Sequence, residues 1–161
     1  MASRSDVGFW IFFVFLIIAH FIIHLGLGLG TAAPDLLTVA LLLAVRRTRS
    51  SVAAGLGLIV GLLHDALASV AFGAEAVVLT VIGYLGARSR DLFEGESLLF
   101  IGVYLFLGKW LHDVLFGVLV RELARGDLVS RLLVQAPLAA LTAAGAGIVA
   151  MLLYRAATGD R

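Results

Sequence analysis

Apolar and polar positions along this chain alternate in long blocks. Six apolar blocks, at about 7–29, 34–48, 52–73, 74–87, 97–120 and 128–154, are separated by short polar breaks. A run of roughly 20 apolar residues is what a helix needs to cross a bilayer. The pattern therefore predicts an all-α membrane protein: a six-helix transmembrane bundle forming one integral membrane domain over 1–161. Blocks two and four are short. A helix over 34–48 reaches about 22 Å at about 1.5 Å per residue. The hydrocarbon core is about 30 Å thick, so block two calls for local thinning or for snorkelling by Arg46, Arg47 and Arg49. Block four follows Gly73 with almost no loop, which predicts a tight hairpin with block three.

Block three organises the rest. Its Gly57, Gly61, His64, Asp65, Ala68 and Ser69 share one helical stripe, while its other faces are Leu, Ile and Val. Small residues admit a neighbouring backbone, and an aspartate inside the membrane needs a partner. Leu63-His64-Asp65 is echoed in block five by Leu111-His112-Asp113, and Lys109 shares a face with His112 and Asp113. An ionised side chain at mid-bilayer costs about 2.5–3.5 kcal/mol on insertion scales. One lysine between inward-facing aspartates lowers that cost. Blocks three and five are thus expected to lie close, with Lys109 near Asp113 and within reach of Asp65. Three roles stay open for the seam: a packing and orientation lock, a polar groove for a partner helix or ligand, and a proton- or ion-coupled step.

Other features refine the plan. Block one begins with Phe9, Trp10, Phe12, Phe13 and Phe15, as at a membrane interface. It is longer than the h-region of a signal peptide, about 7–15 residues, although Thr31-Ala32-Ala33 resembles a cleavage site. His20 and His24 have the i, i+4 spacing of a metal pair but show no third ligand, so hydrogen bonding between helices or a place at a wet interface is preferred over metal binding. Pro34 suits a first helical position, and Asp35 complements the helix dipole. Block six opens with Arg131 and Gln135, then meets Pro137, where a kink is expected.

Composition agrees with the blocks. The chain is 61% hydrophobic and 14% charged, with a mean hydropathy of +1.08. It has no cysteine, which excludes disulfides and thiolate metal sites. A net charge of +1 gives no footprint for nucleic acid. Six spans place both termini on one side, together with eight arginines (Arg4, Arg46, Arg47, Arg49, Arg88, Arg90, Arg155 and Arg161) against Arg121, Arg125 and Arg131 opposite. The positive-inside rule makes the arginine-rich side cytoplasmic. No serine or cysteine nucleophile sits on a recognisable turn, and no glycine-rich loop precedes a basic residue. The chain reads as no enzyme, without cofactor or metal.

The ordered set of features resembles a family, the bacterial rod shape-determining protein MreD. The set comprises Pro34-Asp35 opening the second span, the basic break at Arg46 to Arg49, Gly57-x-x-x-Gly61-Leu-Leu-His64-Asp65, Gly73 before the next span, and Asp113 in the fifth. Lys109 is not part of that pattern. The resemblance implies a non-enzymatic inner-membrane component of the cell-elongation machinery, similar in architecture to the substrate-binding subunits of vitamin (ECF-type) transporters. It implies binding to the membrane helix of MreC and, through MreC, links to the wall synthase RodA, its transpeptidase and MreB. It carries no nucleic-acid role, and a homodimer stays open. Gly57, Gly61, His64, Asp65, Gly73, Lys109, His112 and Asp113, with Pro34 and Asp35, form the expected structural and interaction core. The alternative is a small-molecule or ion-binding subunit of a transporter.

Overall fold

A computed structural model describes residues 4–26, 33–68, 72–90, 97–120 and 130–159. Among these residues there are six α-helices and no strand. Helix α1 (Arg4–Phe21) runs into a π-helical turn (Ile22–Gly26). The next four are α2 (Leu36–Val45), α3 (Ser50–Ala68), α4 (Ala74–Ser89) and α5 (Leu98–Leu119). A second π-helical turn (Arg131–Gln135) leads into α6 (Ala136–Thr158). Four stretches are long and apolar enough to cross a membrane: Val7–His24, Ser50–Leu67, Leu98–Leu119 and Leu132–Thr158. Gly28, Gly30, Ser69 and the charged breaks at 91–96 and 121–127 lie outside the described residues, as do the side chains of Ala68 and Arg131.

Helix α2 is the centre of the bundle. Every residue from Leu37 to Val45 is buried, and α1, α3, α4, α5 and α6 all pack against it. A helix apolar on every face has to be covered on every face. Protein provides that cover here, so α2 presents no length to lipid and the expected thinning or snorkelling is not needed. Its ten residues instead end within the bundle. Arg47 lies over the Phe9 ring at 4.0 Å, and Arg46 over Tyr104 at 5.6 Å. Both arginines stay with protein aromatics.

Helices α3 and α4 form the tightest pair. A Cβ on Gly57 would collide with the backbone carbonyl of Leu79, one on Gly61 with the backbone of Ala76, and one on Gly83 with the carbonyl of Ala53. The stripe read from block three is therefore filled by α4, at backbone contact. Gly73 closes the hairpin at φ +90°, a left-handed conformation that suits a residue without Cβ. Pro137 falls in the first turn of α6, where no backbone donor is lost. The irregularity expected at Pro137 is found just before it, in the π-helical turn.

The helices alternate in direction, which sorts the polar residues. Arg46, Arg47, Arg88, Arg90 and Arg155 gather at one end, held partly by Arg90 donating to the Thr48 carbonyl at 3.1 Å and by Tyr154 packing on Phe9 and Phe12. His20, Asp35, Asp65, Glu75, Lys109, His112 and Asp113 gather towards the other. Large side chains on α1 such as Ile11, Val14, Phe15 and Ile18 are exposed, as a lipid-facing surface requires.

Candidate functional site

The polar end exists because two short helices begin there, inside the bundle. The first N–H groups of a helix have no partner within it, and inside a membrane bundle they need acceptors from the protein. At α2, Asp35 Oδ1 accepts from the amides of Leu37 and Thr38, each at 3.1 Å, and Oδ2 accepts from the Thr38 hydroxyl at 2.6 Å. Such a cap is typically worth about 1 kcal/mol. The Leu37 amide also donates to Nδ1 of His20 at 3.2 Å, so α1 helps to seat α2.

At α4 the cap comes from another helix. Asp65 of α3, 5% exposed, accepts from the amides of Gly73 and Ala76 at 3.0 Å and of Glu75 at 3.2 Å. This reach depends on the glycine contact, because Gly61 lies against Ala76 one turn away. The carboxylate also meets the positive end of the α4 dipole. The aspartate of block three is thus answered by three backbone amides, not by a cation.

Helix α5 brings the cation. Lys109 Nζ lies 2.7 Å from Asp35 Oδ2 and 2.7 Å from Asp113 Oδ1. His112 presents Nδ1 to Asp113 Oδ1 at 3.1 Å and Nε2 to Glu75 Oε1 at 2.8 Å. The Lys109 ammonium also lies 3.5 Å from His112 Nδ1. The carboxyl groups of Asp35, Glu75 and Asp113 thus face Lys109 and His112 in one network. Asp113 is the member nearest the surface, with a side chain 22% exposed. Its Oδ2 takes no protein partner among the described residues.

Three histidines flank this cluster. The rings of His20 and His24 stack at 4.1 Å, and His24 Nδ1 donates to the His20 carbonyl at 3.1 Å. The His64 ring lies 5.8 Å from that of His20. Nε2 of His20 and Nδ1 of His64 are buried without a partner. Among the described residues no group of three or more side chains is arranged to hold a metal.

The residues singled out in sequence divide accordingly. Asp35, Lys109, His112 and Asp113 meet in one network, and His20 joins it through Leu37. Gly57, Gly61, Asp65 and Gly73 build the α3–α4 hairpin beside it. Pro34 is half-buried, its carbonyl accepting from the Leu36 amide at 2.9 Å. The expected approach of Lys109 to Asp65 is not found: α3 packs chiefly on α4, whereas α5 packs on α6, α4 and α2. Sequence reasoning missed Glu75. Its signal is an acidic residue in the first turn of an apolar helix, directly after the hairpin glycine.

The sequence matches the family of the rod shape-determining protein MreD over residues 4–154. No curated protein and no solved structure gives a significant match.

Proposed function

The chain belongs to the MreD family of rod shape-determining proteins, a structural family and not a family of enzymes, and on that premise we propose that it is a multi-pass scaffold of the bacterial cell-elongation (Rod) complex. In this reading it lies in the cytoplasmic membrane with both termini in the cytoplasm. Its helices form one domain arranged like the substrate-binding subunits of ECF-type vitamin transporters. It binds the membrane helix of MreC and so supports lateral peptidoglycan synthesis by RodA and its transpeptidase, with MreB on the cytoplasmic side.

The observation that supports the scaffold reading is the half-buried carboxylate of Asp113, whose Oδ2 takes no protein partner among the described residues. The small-residue stripe of α3 is already filled by α4, so a partner helix has to use another face. A helix offering a hydrogen-bond donor or cation at the depth of Asp113 would complete the network. Polar contacts between membrane helices average about 0.6 kcal/mol and reach about 1.7. Recovery of MreC with the full-length chain from mild detergent tests this. Asp113→Asn is expected to lower recovery and Asp113→Glu to retain it. Equal recovery with all three proteins removes Asp113 from the interface.

A ligand-binding role draws on a different observation, the two unpartnered nitrogens of His20 and His64. Thermal-shift screening against vitamins and lipid-linked wall precursors tests it. A saturable shift that is lost in His64→Phe supports a transporter-like subunit, and no shift with any compound removes that role.

A further inference from the structure

A groove of about 640 Å³ runs between α4 and α5, at the arginine end of the bundle. That volume falls within the range of small-molecule sites, about 300–1,000 Å³. Leu42 of α2 lies in its floor, Ile82 of α4 and Leu107 and Leu111 of α5 line it, and Arg88 and Ser89 stand at its polar end. Two glycines let its walls pack closely on their neighbours. A Cβ on Gly108 would strike the Leu42 side chain at 2.6 Å, and one on Gly86 would come 2.8 Å from the Tyr104 hydroxyl. The other polar groups are already engaged: Tyr104 donates to the Leu42 carbonyl at 3.2 Å and Ser89 to the Gly86 carbonyl at 3.2 Å. Arg88 is exposed and takes no protein partner among the described residues.

A groove that is apolar along its length and cationic at one end matches an amphiphile with one anionic head. The arginine end is the cytoplasmic end by the positive-inside rule, where anionic lipid concentrates, and basic pockets between membrane helices on that side bind anionic headgroups. We propose that this groove seats an anionic phospholipid of the cytoplasmic leaflet, with its phosphate on Arg88 and an acyl chain along Ile82, Leu107 and Leu111. The site is independent of the Asp113 cluster and of any contact with MreC.

The test is native mass spectrometry of the full chain, released from nanodiscs of phosphatidylglycerol or of phosphatidylcholine with the same acyl chains. Wild-type protein is expected to retain phosphatidylglycerol in preference. Arg88→Gln is expected to reduce that retention about fivefold, the effect of one arginine near an anionic surface. Leu107→Trp, which fills the groove from its exposed side, is expected to reduce retention of both lipids. Equal retention of the two lipids by the wild type overturns the proposal, as does wild-type retention in Arg88→Gln. Loss of MreC from Leu107→Trp with lipid retention unchanged assigns the groove to a protein helix and also overturns it.

Discussion

Replacing Lys109 with Met removes the cation that faces two half-buried carboxylates while keeping a stem of similar length. The Lys109 nitrogen is 2.7 Å from Asp35 Oδ2 and 2.7 Å from Asp113 Oδ1, and the three side chains are 9%, 17% and 22% exposed. Deleting one partner of a buried pair costs about 3–5 kcal/mol, chiefly because the other charge is left uncompensated. Here two carboxylates are left, so Lys109→Met is expected in the upper half of that range. The origin of the cost can be separated from packing. Asp35→Asn retains an oxygen for the amides of Leu37 and Thr38, and Asn is as good a cap as Asp. Adding Asp35→Asn and Asp113→Asn to Lys109→Met should therefore return more than half of the lost stability. Reversible unfolding of the full chain in bicelles measures both values. A cost for Lys109→Met below about 1 kcal/mol, the range of exposed pairs, would show that the cluster is hydrated. A triple variant no more stable than the single one would show that packing, not charge, sets the cost.

Three further outcomes follow from the geometry. Gly57→Ala should destabilise by about 1–3 kcal/mol through overpacking against Leu79, whereas Gly55→Ala, with open space around it, should be neutral or stabilise by up to about 1 kcal/mol; equal melting temperatures in detergent for these two variants would contradict the seam. Asp65→Leu leaves three amides without an acceptor at about 1–3 kcal/mol each, so hydrogen exchange at Gly73, Glu75 and Ala76 should accelerate, more than in Asp65→Asn; unchanged protection would mean that water already reaches them. The chain has no cysteine, so single substitutions report topology: an impermeant thiol reagent added to intact cells should label Phe72→Cys and spare Arg49→Cys, and the reverse pattern would invert the orientation.

Much of the hairpin was legible because its signals are local. Gly57 and Gly61 share a stripe, Gly73 follows at the turn, and Lys109 is one helical turn from Asp113. The joining of Asp35 to Lys109 was not legible, since the two are 74 positions apart and belong to different apolar blocks. Nor was the burial of α2. In a water-soluble protein a helix that is apolar all round identifies itself as core, but in a membrane both lipid and protein accept the same residues. Hydrophobic periodicity then no longer tells inside from outside, and the polar residues alone mark the interior. That limit also accounts for Glu75, which reads in sequence as an ordinary first-turn acid and in the fold as the partner of His112.

The charge on the cluster follows from helix length. A helix of ten residues cannot bring both ends to the bilayer surface, so α2 has to begin inside protein, and α4 begins there too. Buried helix starts call for acceptors, and the acceptors supplied are Asp35 and Asp65, with Glu75 in the first turn of α4. Once α3 and α4 meet at glycine, Asp65 reaches its amides without help. Asp35 and Glu75 still need partners, and α5 provides Lys109 and His112 at the matching depth. Asp113 then contacts both of these groups, and its Oδ2 takes no protein partner among the described residues. The same arrangement that ends two short helices within the membrane thus produces a half-buried acceptor near the bundle's edge, and a neighbouring helix that carries a donor can be selected by it.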